Sequence, residues 1–428
     1  MAAKKRNNKK PPQRFWQILG PGLITGASDD DPSGIGTYSQ VGAQFGYGMT
    51  WVMLATYPLM SAIQEISARI GRVTGQGLAG NMRRHHSATL LRVLMFSLLV
   101  ANIVNLGADL GAMGDAVKLL IGGPRFAYVV AFGALCVGLE IFMQYRRYCY
   151  YLKWTAVVLF AYVATALSIH IPWGEVLLRT VVPDFQFNAK YLVAIVAVMG
   201  TTISPYLFFW QSSQEAEDER VDPKAKPLRM APQQGPSEIR RIRIDTYIGM
   251  FFSNAIGWFI IITVAGTLNA HGITDIDSSS QAAEALRPLA GPLAFTLFAA
   301  GIIGTGLLAI PVLAGSAAYA VAEALQWPVG LARLPLEAKA FYATIAVATL
   351  LGVAFNLFHF DPIKALFWSA VVNGVVAVPV MAVTMVMARQ KKVMGDFTLG
   401  WTLTIWGWIA TIAMTAVVIG MAATWNVS

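Results

Sequence analysis

The residues best equipped for chemistry are three consecutive carboxylates inside an apolar segment, followed at once by a helix breaker: Ser28-Asp29-Asp30-Asp31-Pro32-Ser33-Gly34-Ile35-Gly36. Pro32 removes an amide hydrogen bond and disfavours helix at Asp31. Gly34 and Gly36 let the backbone leave helical geometry cheaply. A second break of this kind occurs in Gly200-Thr201-Thr202-Ile203-Ser204-Pro205-Tyr206. Within a membrane, unwound backbone is tolerated only where it is buried in protein or lines a wet cavity, and an ionised side chain there is costly and usually functional. Either break alone reads as an ordinary proline kink. Two, at corresponding positions of oppositely oriented halves, point to a transporter's substrate site. The half-helix ends would offer carbonyls to a cation and amides to an anion.

The three carboxylates point in different directions if helical, so they cannot all ligate one ion. Asp109 and Asp115 lie on another apolar segment. Asp109 is the candidate proton or ion relay, with hydrogen-bonded packing as the plainer reading, and Asp115 is interfacial. Glu65 and Arg69 have the i, i+4 spacing of a salt bridge, and Glu140 is open to either a structural or a gating role. Cys136 and Cys149 show no metal-ligand spacing, and His85, His86, His170, His271 and His359 form no i, i+4 pair. A zinc hydrolase is therefore excluded, and no constellation at catalytic spacing supports any other membrane enzyme.

The elements that must carry these residues are membrane spans. The 428 residues are 56% hydrophobic and 13% charged, with mean hydropathy +0.55, whereas soluble proteins average about 25% charged. A helix needs ~20 mostly apolar residues to cross the hydrocarbon. Eleven segments qualify, roughly 16–43, 46–68, 89–121, 126–145, 150–171, 190–212, 244–269, 289–325, 336–357, 363–388 and 397–424. The net charge of +9 is explained by topology rather than by nucleic acid, because the cations alternate between connections. One set holds Arg69, Arg72, Arg83 and Arg84, then Arg146, Arg147 and Lys153, then Lys224, Lys226, Arg229, Arg240, Arg241 and Arg243. It continues with Arg333 and Lys339 and ends with Arg389, Lys391 and Lys392. The opposite set carries Asp275, Asp277, Glu284 and Asp361. By the positive-inside rule, the basic N-terminus (1–15) is cytoplasmic and the tail Asn426–Ser428 is outside. The segment after residue 15 lacks a cleavage site and stays in the lipid bilayer. The expected location is the cell's inner membrane, as a monomer.

The one long polar stretch, Ser212–Arg243, reads as a mobile cytoplasmic loop (213–243) between spans six and seven. Its acidic run, Glu215, Glu217, Asp218 and Glu219, is either an ion-attracting vestibule or a solvated face.

Leu19-Gly20-Pro21-Gly22, Asp31-Pro32 and Gly42-Ala43-Gln44-Phe45-Gly46-Tyr47 resemble the first helix, and the turn after it, of the Nramp family of divalent-metal transporters. Gln64-Glu65-Ile66-Ser67-Ala68-Arg69-Ile70-Gly71 with Thr74-Gly75, Ala108-Asp109-Leu110 and Lys392-Val393-Met394-Gly395 extend the likeness along nearly the whole chain. The resemblance implies an all-α integral membrane protein of LeuT-like fold. It would have eleven helices, an inverted 5+5 repeat (about 16–171 and 190–388, with an extra helix at 397–424 in a single domain, 16–425), and discontinuous helices 1 and 6. It also implies a transported divalent cation, possible protons, and no tightly bound cofactor.

The departures fall on the site. The family's Asp-Pro-Gly-Asn stands here as Asp31-Pro32-Ser33-Gly34, so the amide ligand is gone. The family's Met-Pro-His stands as Ser204-Pro205-Tyr206, so the thioether has become a hydroxyl and the histidine a phenol. A later acid of helix 3 corresponds to Ala112 and a later histidine of helix 6 to Gln211, which puts proton coupling in doubt although Asp109 is kept. The ligands the resemblance leaves are the Asp31 carboxylate, a carbonyl near Ala27 or Ser28, the Thr201 carbonyl and Ser204 Oγ, in a pocket with Ser33, Gly34 and Tyr206. All are oxygens, which hard ions such as Mg²⁺ and Mn²⁺ prefer. The rival expectation is a carrier for a small organic solute such as an amino acid, its carboxylate held by amides of Ser33-Gly34-Ile35-Gly36. A receptor or sensor would need a folded regulatory domain, and the 213–243 loop is too short for one.

Overall fold

The computed structural model describes residues 20–143, 155–358 and 360–425. The basic N-terminus 1–15, Arg146, Arg147, Cys149, Lys153, His359 and Asn426–Ser428 lie outside these residues, as does the start of the fifth expected span. The described residues are all-helical. The first pass is split into α1 (Pro21–Asp29) and α2 (Pro32–Phe45). Next come α3 (Thr50–Thr74), the short α4 (Leu78–His85), α5 (Ala88–Ile121) and α6 (Arg125–Phe142). The fifth pass ends in α7 (Phe160–Ser168), and α8 (Trp173–Val181) turns away from it at 119°. The sixth is split into α9 (Ala189–Thr202) and α10 (Pro205–Val221). The remaining passes are α11 (Gly235–Thr267), α12 (Ala294–Leu325), α13 (Lys339–Phe355), α14 (Pro362–Arg389) and α15 (Trp401–Thr424).

Among the described residues, 8 helices are long and apolar enough to cross a membrane. The expected spans that fall short do so for local reasons. The first is broken at Asp30-Asp31, α3 carries Gln64, Glu65, Arg69 and Arg72 in its second half, and the fifth begins outside the described residues. The connections gather on two faces, as polar contacts between them show. On the face where α1 begins, Arg72 meets Glu219 and Glu238, Arg83 donates to Ala324 O, and Arg229 donates to Val393 O. On the other, Lys364 pairs with Asp277, Gln40 donates to Asp275, and Arg125 donates to Phe360 O.

Two close crossings seat the broken helices. A Cβ on Gly26 of α1 would lie 2.3 Å from Gly249 O of α11, and one on Gly200 of α9 would lie 2.0 Å from Ala370 O of α14. Only glycine lets the backbones approach this far, the usual device where lipid gives helices no hydrophobic drive to associate. The first half of each broken helix therefore rests on a continuous one.

The polar stretch Ser212–Arg243 departs from expectation. It is no long loop: α10 runs on to Val221 and α11 starts at Gly235, leaving 222–234 between them. Of its four acids Asp218 is half-buried, and the other three are neither a vestibule nor a solvated face. Glu215 is fully buried and paired with Arg241, Glu219 is paired with Arg72, and Glu217 accepts from Tyr319 Oη and the amides of Leu331 and Ala332. Buried carboxylates need such partners, and the cations supplied by α3 and α11 keep the helix going. Glu65 bonds Arg69 as expected and also reaches Arg243.

Candidate functional site

Asp31 is the centre of the site. Its backbone is extended (φ −69°, ψ 173°) between α1 and α2, and its side chain caps α2 by accepting from Gly34 N at 2.8 Å. That geometry follows from the sequence, because the residue before a proline is pushed out of the helical region and Asp is a favoured N-cap. Oδ1 also accepts from Ser33 Oγ at 2.6 Å. Oδ2 accepts from Asn105 Nδ2 at 3.1 Å and from Tyr206 Oη at 3.2 Å.

The two breaks are tied together at this point. Tyr206, in the first turn of α10, shares its phenol proton between Asp31 Oδ2 and Ser28 O, the latter at 3.1 Å. Ser33 Oγ stands 3.5 Å from Thr201 Oγ1. Asp31, Ser28, Ser33, Gly34, Thr201 and Tyr206 thus converge, and Ser28, Asp31, Ser33, Thr201 and Tyr206 are each at most 2% exposed, so the site is occluded. Ser204 turns its hydroxyl back onto its own helix, to Gly200 O at 2.7 Å and Thr201 O at 2.8 Å. The Ala27 side chain packs against Leu308 of α12. Asp109 is fully buried and faces the Ser33 amide. Neither of its carboxylate oxygens has a hydrogen-bond partner of ordinary geometry among the described residues.

Asp29 and Asp30 turn the other way, toward α11. Ser253 Oγ lies 2.5 Å from Asp29 Oδ2 and 3.1 Å from Asp30 Oδ1. No Lys or Arg among the described residues forms an ion pair with Asp29, Asp30 or Asp31. Removing an ion from water costs several kcal/mol per charge even after relaxation, so such a cluster is relieved either by protonation or by a cation. Glu140 is buried without a partner among the described residues. Gln211, in the later histidine position of the resemblance, donates to Thr246 Oγ1 at 2.8 Å.

Residues 22–424 match the family model described as natural resistance-associated macrophage protein-like. The chain belongs to the Nramp family. Its relatives include the divalent metal cation transporter MntH of Deinococcus radiodurans, 25% identical over 94% of this chain and 89% of that protein. The MntH of Mycobacterium tuberculosis is 26% identical over 93% and 89%. The fold is that of a crystallised manganese transporter from Eremococcus coleocola, with TM-score 0.78 at 17% identity over 95% of this chain and 87% of that one. The nucleobase–cation symporter Mhp1 shares it more distantly, with TM-score 0.55 at 14% identity over 95% and 93%. This Nramp protein is therefore a multi-pass, LeuT-like member of a transporter family and not an enzyme.

The reading from sequence missed Asn105, Ser253 and Asp245 in this Nramp chain, the last of which accepts from the amides of Gly20, Gly22 and Leu23 at the start of α1. Asn105 had a signal, an amide one turn before Asp109 on an apolar helix. Ser253 and Asp245 lie on α11 beside Asn254 and Thr246, and nothing in their spacing marks them.

Proposed function

We propose that this chain carries divalent cations across a membrane by alternating access, holding each at Asp31 between the two broken helices. The observation that supports it most is the meeting of both breaks at one occluded carboxylate in a member of a metal-transporter family. The oxygens around Asp31 are the Ser28 carbonyl, the Tyr206 phenol and the Ser33 and Thr201 hydroxyls, with the Thr201 carbonyl and Ser204 Oγ behind them. That set lacks a soft donor and favours hard ions, Mg²⁺ or Mn²⁺. The transporters named among its relatives carry divalent metal, including manganese.

Proton coupling in this reading is weak or absent, with Asp109 the one relay carboxylate left on α5. The chain works as a monomer in the inner membrane without a tightly bound cofactor. The N-terminus is cytoplasmic and the C-terminus outside, supported by the cation-rich connections sharing the face where α1 begins. The organic-solute alternative is disfavoured, since Gly34 N, the amide that would receive a carboxylate, is already capped by Asp31.

The test is a proteoliposome flux panel across Mg²⁺, Mn²⁺, Fe²⁺, Ca²⁺ and Cd²⁺ with internal pH recorded. Uptake of Mg²⁺ or Mn²⁺ that Asp31→Ala abolishes, with little pH change, is expected. Equal transport by the variant overturns the assignment.

A further inference from the structure

Asn105 is the residue at the site whose chemistry is only half used. Its side chain is fully buried on α5, and Nδ2 donates to Asp31 Oδ2 at 3.1 Å. Its Oδ1 has no hydrogen-bond partner among the described residues. Donation through Nδ2 is the orientation that an ionised carboxylate, which only accepts, asks of the amide facing it.

The donors around Asp31 show why that matters. Oδ1 receives Gly34 N and Ser33 Oγ, and Oδ2 receives Asn105 Nδ2 and Tyr206 Oη. A carboxylate has about four lone-pair positions, so all are taken and a cation can enter only if a donor withdraws. Gly34 N is fixed by the backbone at the start of α2. Tyr206 can commit its proton to Ser28 O, already 3.1 Å away. Ser33 can swing its proton, leaving an oxygen in place. Asn105 alone can exchange its donor for a new oxygen, because half a turn about χ2 puts Oδ1 where Nδ2 stood, with no backbone movement.

We propose that Asn105 is an amide toggle, a hydrogen-bond donor to Asp31 when the carboxylate holds no cation and a side-chain oxygen ligand to a divalent cation when it does. The ligand then comes from α5, whereas Gly34 in the first turn of α2 has no side chain to offer. The shell becomes carboxylate, amide and main-chain carbonyl oxygens, which suits Mg²⁺ and Mn²⁺. The toggle rests on the reading that Asp31 holds the ion.

The experiment is calorimetric titration of the purified full-length protein with Mn²⁺ and Mg²⁺, comparing the wild type with Asp31→Ala, Asn105→Ala, Asn105→Leu and Asn105→Asp. Monodispersity and thermal midpoint are checked for each. Asn105→Ala and Asn105→Leu are expected to weaken binding roughly 10- to 100-fold, whereas Asn105→Asp, which keeps an oxygen at the position, restores it to within a few-fold. If Asp31→Ala abolishes binding but Asn105→Ala and Asn105→Leu match the wild type, the toggle is overturned and the Asp31 reading stands. Equal weakening by Ala, Leu and Asp reduces Asn105 to a donor and also overturns it. Wild-type binding by Asp31→Ala removes both. Should the Ala variant fold poorly, Leu and Asp still decide between ligand and donor.

Discussion

Gly22 N donates to Asp245 Oδ2 at 2.7 Å, and Asp245 Oδ1 accepts from Gly20 N at 2.9 Å and Leu23 N at 3.1 Å. One carboxylate of α11 thus satisfies the free amides at the start of α1 and sits at the positive end of its dipole. Because α1 is only nine residues long and ends at Asp29, this latch fixes the half-helix that closes the site on one face.

Asp245→Ala is expected to free α1. Hydrogen bonds to a charged acceptor are worth ~1.5–3 kcal/mol each in net terms, so losing this set should raise amide exchange across residues 21–29 by at least about tenfold. Exchange mass spectrometry reads this directly. Unchanged protection would show that α1 is held by packing alone.

Packing makes its own contribution at the glycine crossing. A Cβ on Gly249 would lie 2.3 Å from Gly22 O, and one on Gly26 would lie 2.3 Å from Gly249 O, both backbone atoms that no rotamer can move. Gly26→Ala and Gly249→Ala should each cost ~1–3 kcal/mol as overpacking and lower the thermal midpoint. Gly48→Ala, where a Cβ meets nothing within 4 Å, should leave it unchanged.

The breaks were legible because their causes are local. Pro32 and Pro205 stop the preceding helix, and the helices end at Asp29 and Thr202. The partners of Asp31 were only partly legible. Tyr206 was marked by its place beside Pro205, but the contact from Asn105 depends on the rotation of α5. That helix is apolar around most of its circumference, so periodicity cannot say which face meets α2. The acids of α10 misled for a related reason. Six polar or charged residues from Ser213 to Glu219 are broken only by Ala216, which reads as solvated, yet the cations that pair with Glu219 and Glu215 come from 147 residues away at Arg72 and 26 at Arg241.

Arg241→Ala should therefore be severe. It leaves Glu215, 0% exposed, without its cation, and breaking a buried pair from one side costs ~3–5 kcal/mol. Joint replacement, Arg241→Met with Glu215→Leu, should recover most of that loss in thermal unfolding. Arg179→Ala, at the exposed pair with Asp184, should move stability by no more than ~1 kcal/mol. A double variant no better than Arg241→Ala alone would show that the charge itself is needed on this face.

Ser253→Ala probes the other carboxylates. It removes the hydroxyl that lies between Asp29 and Asp30, leaving two buried acids without their shared donor, at a cost of ~1–3 kcal/mol. The expected signature is a lower thermal midpoint with Mn²⁺ affinity nearly unchanged, because Asp31 keeps all its own contacts. Loss of Mn²⁺ affinity in parallel with Asp31→Ala would place Asp29 or Asp30 in the ion's shell.

Locating the ion tests the central claim most directly. Crystals or grids prepared with Mn²⁺, with the metal identified by its anomalous signal or density, should show it between the α1/α2 and α9/α10 breaks. An Asp31 oxygen should lie roughly 2.0–2.6 Å from it. Mn²⁺ bound elsewhere, or bound between the breaks with the Asp31 carboxylate turned away, would contradict the account.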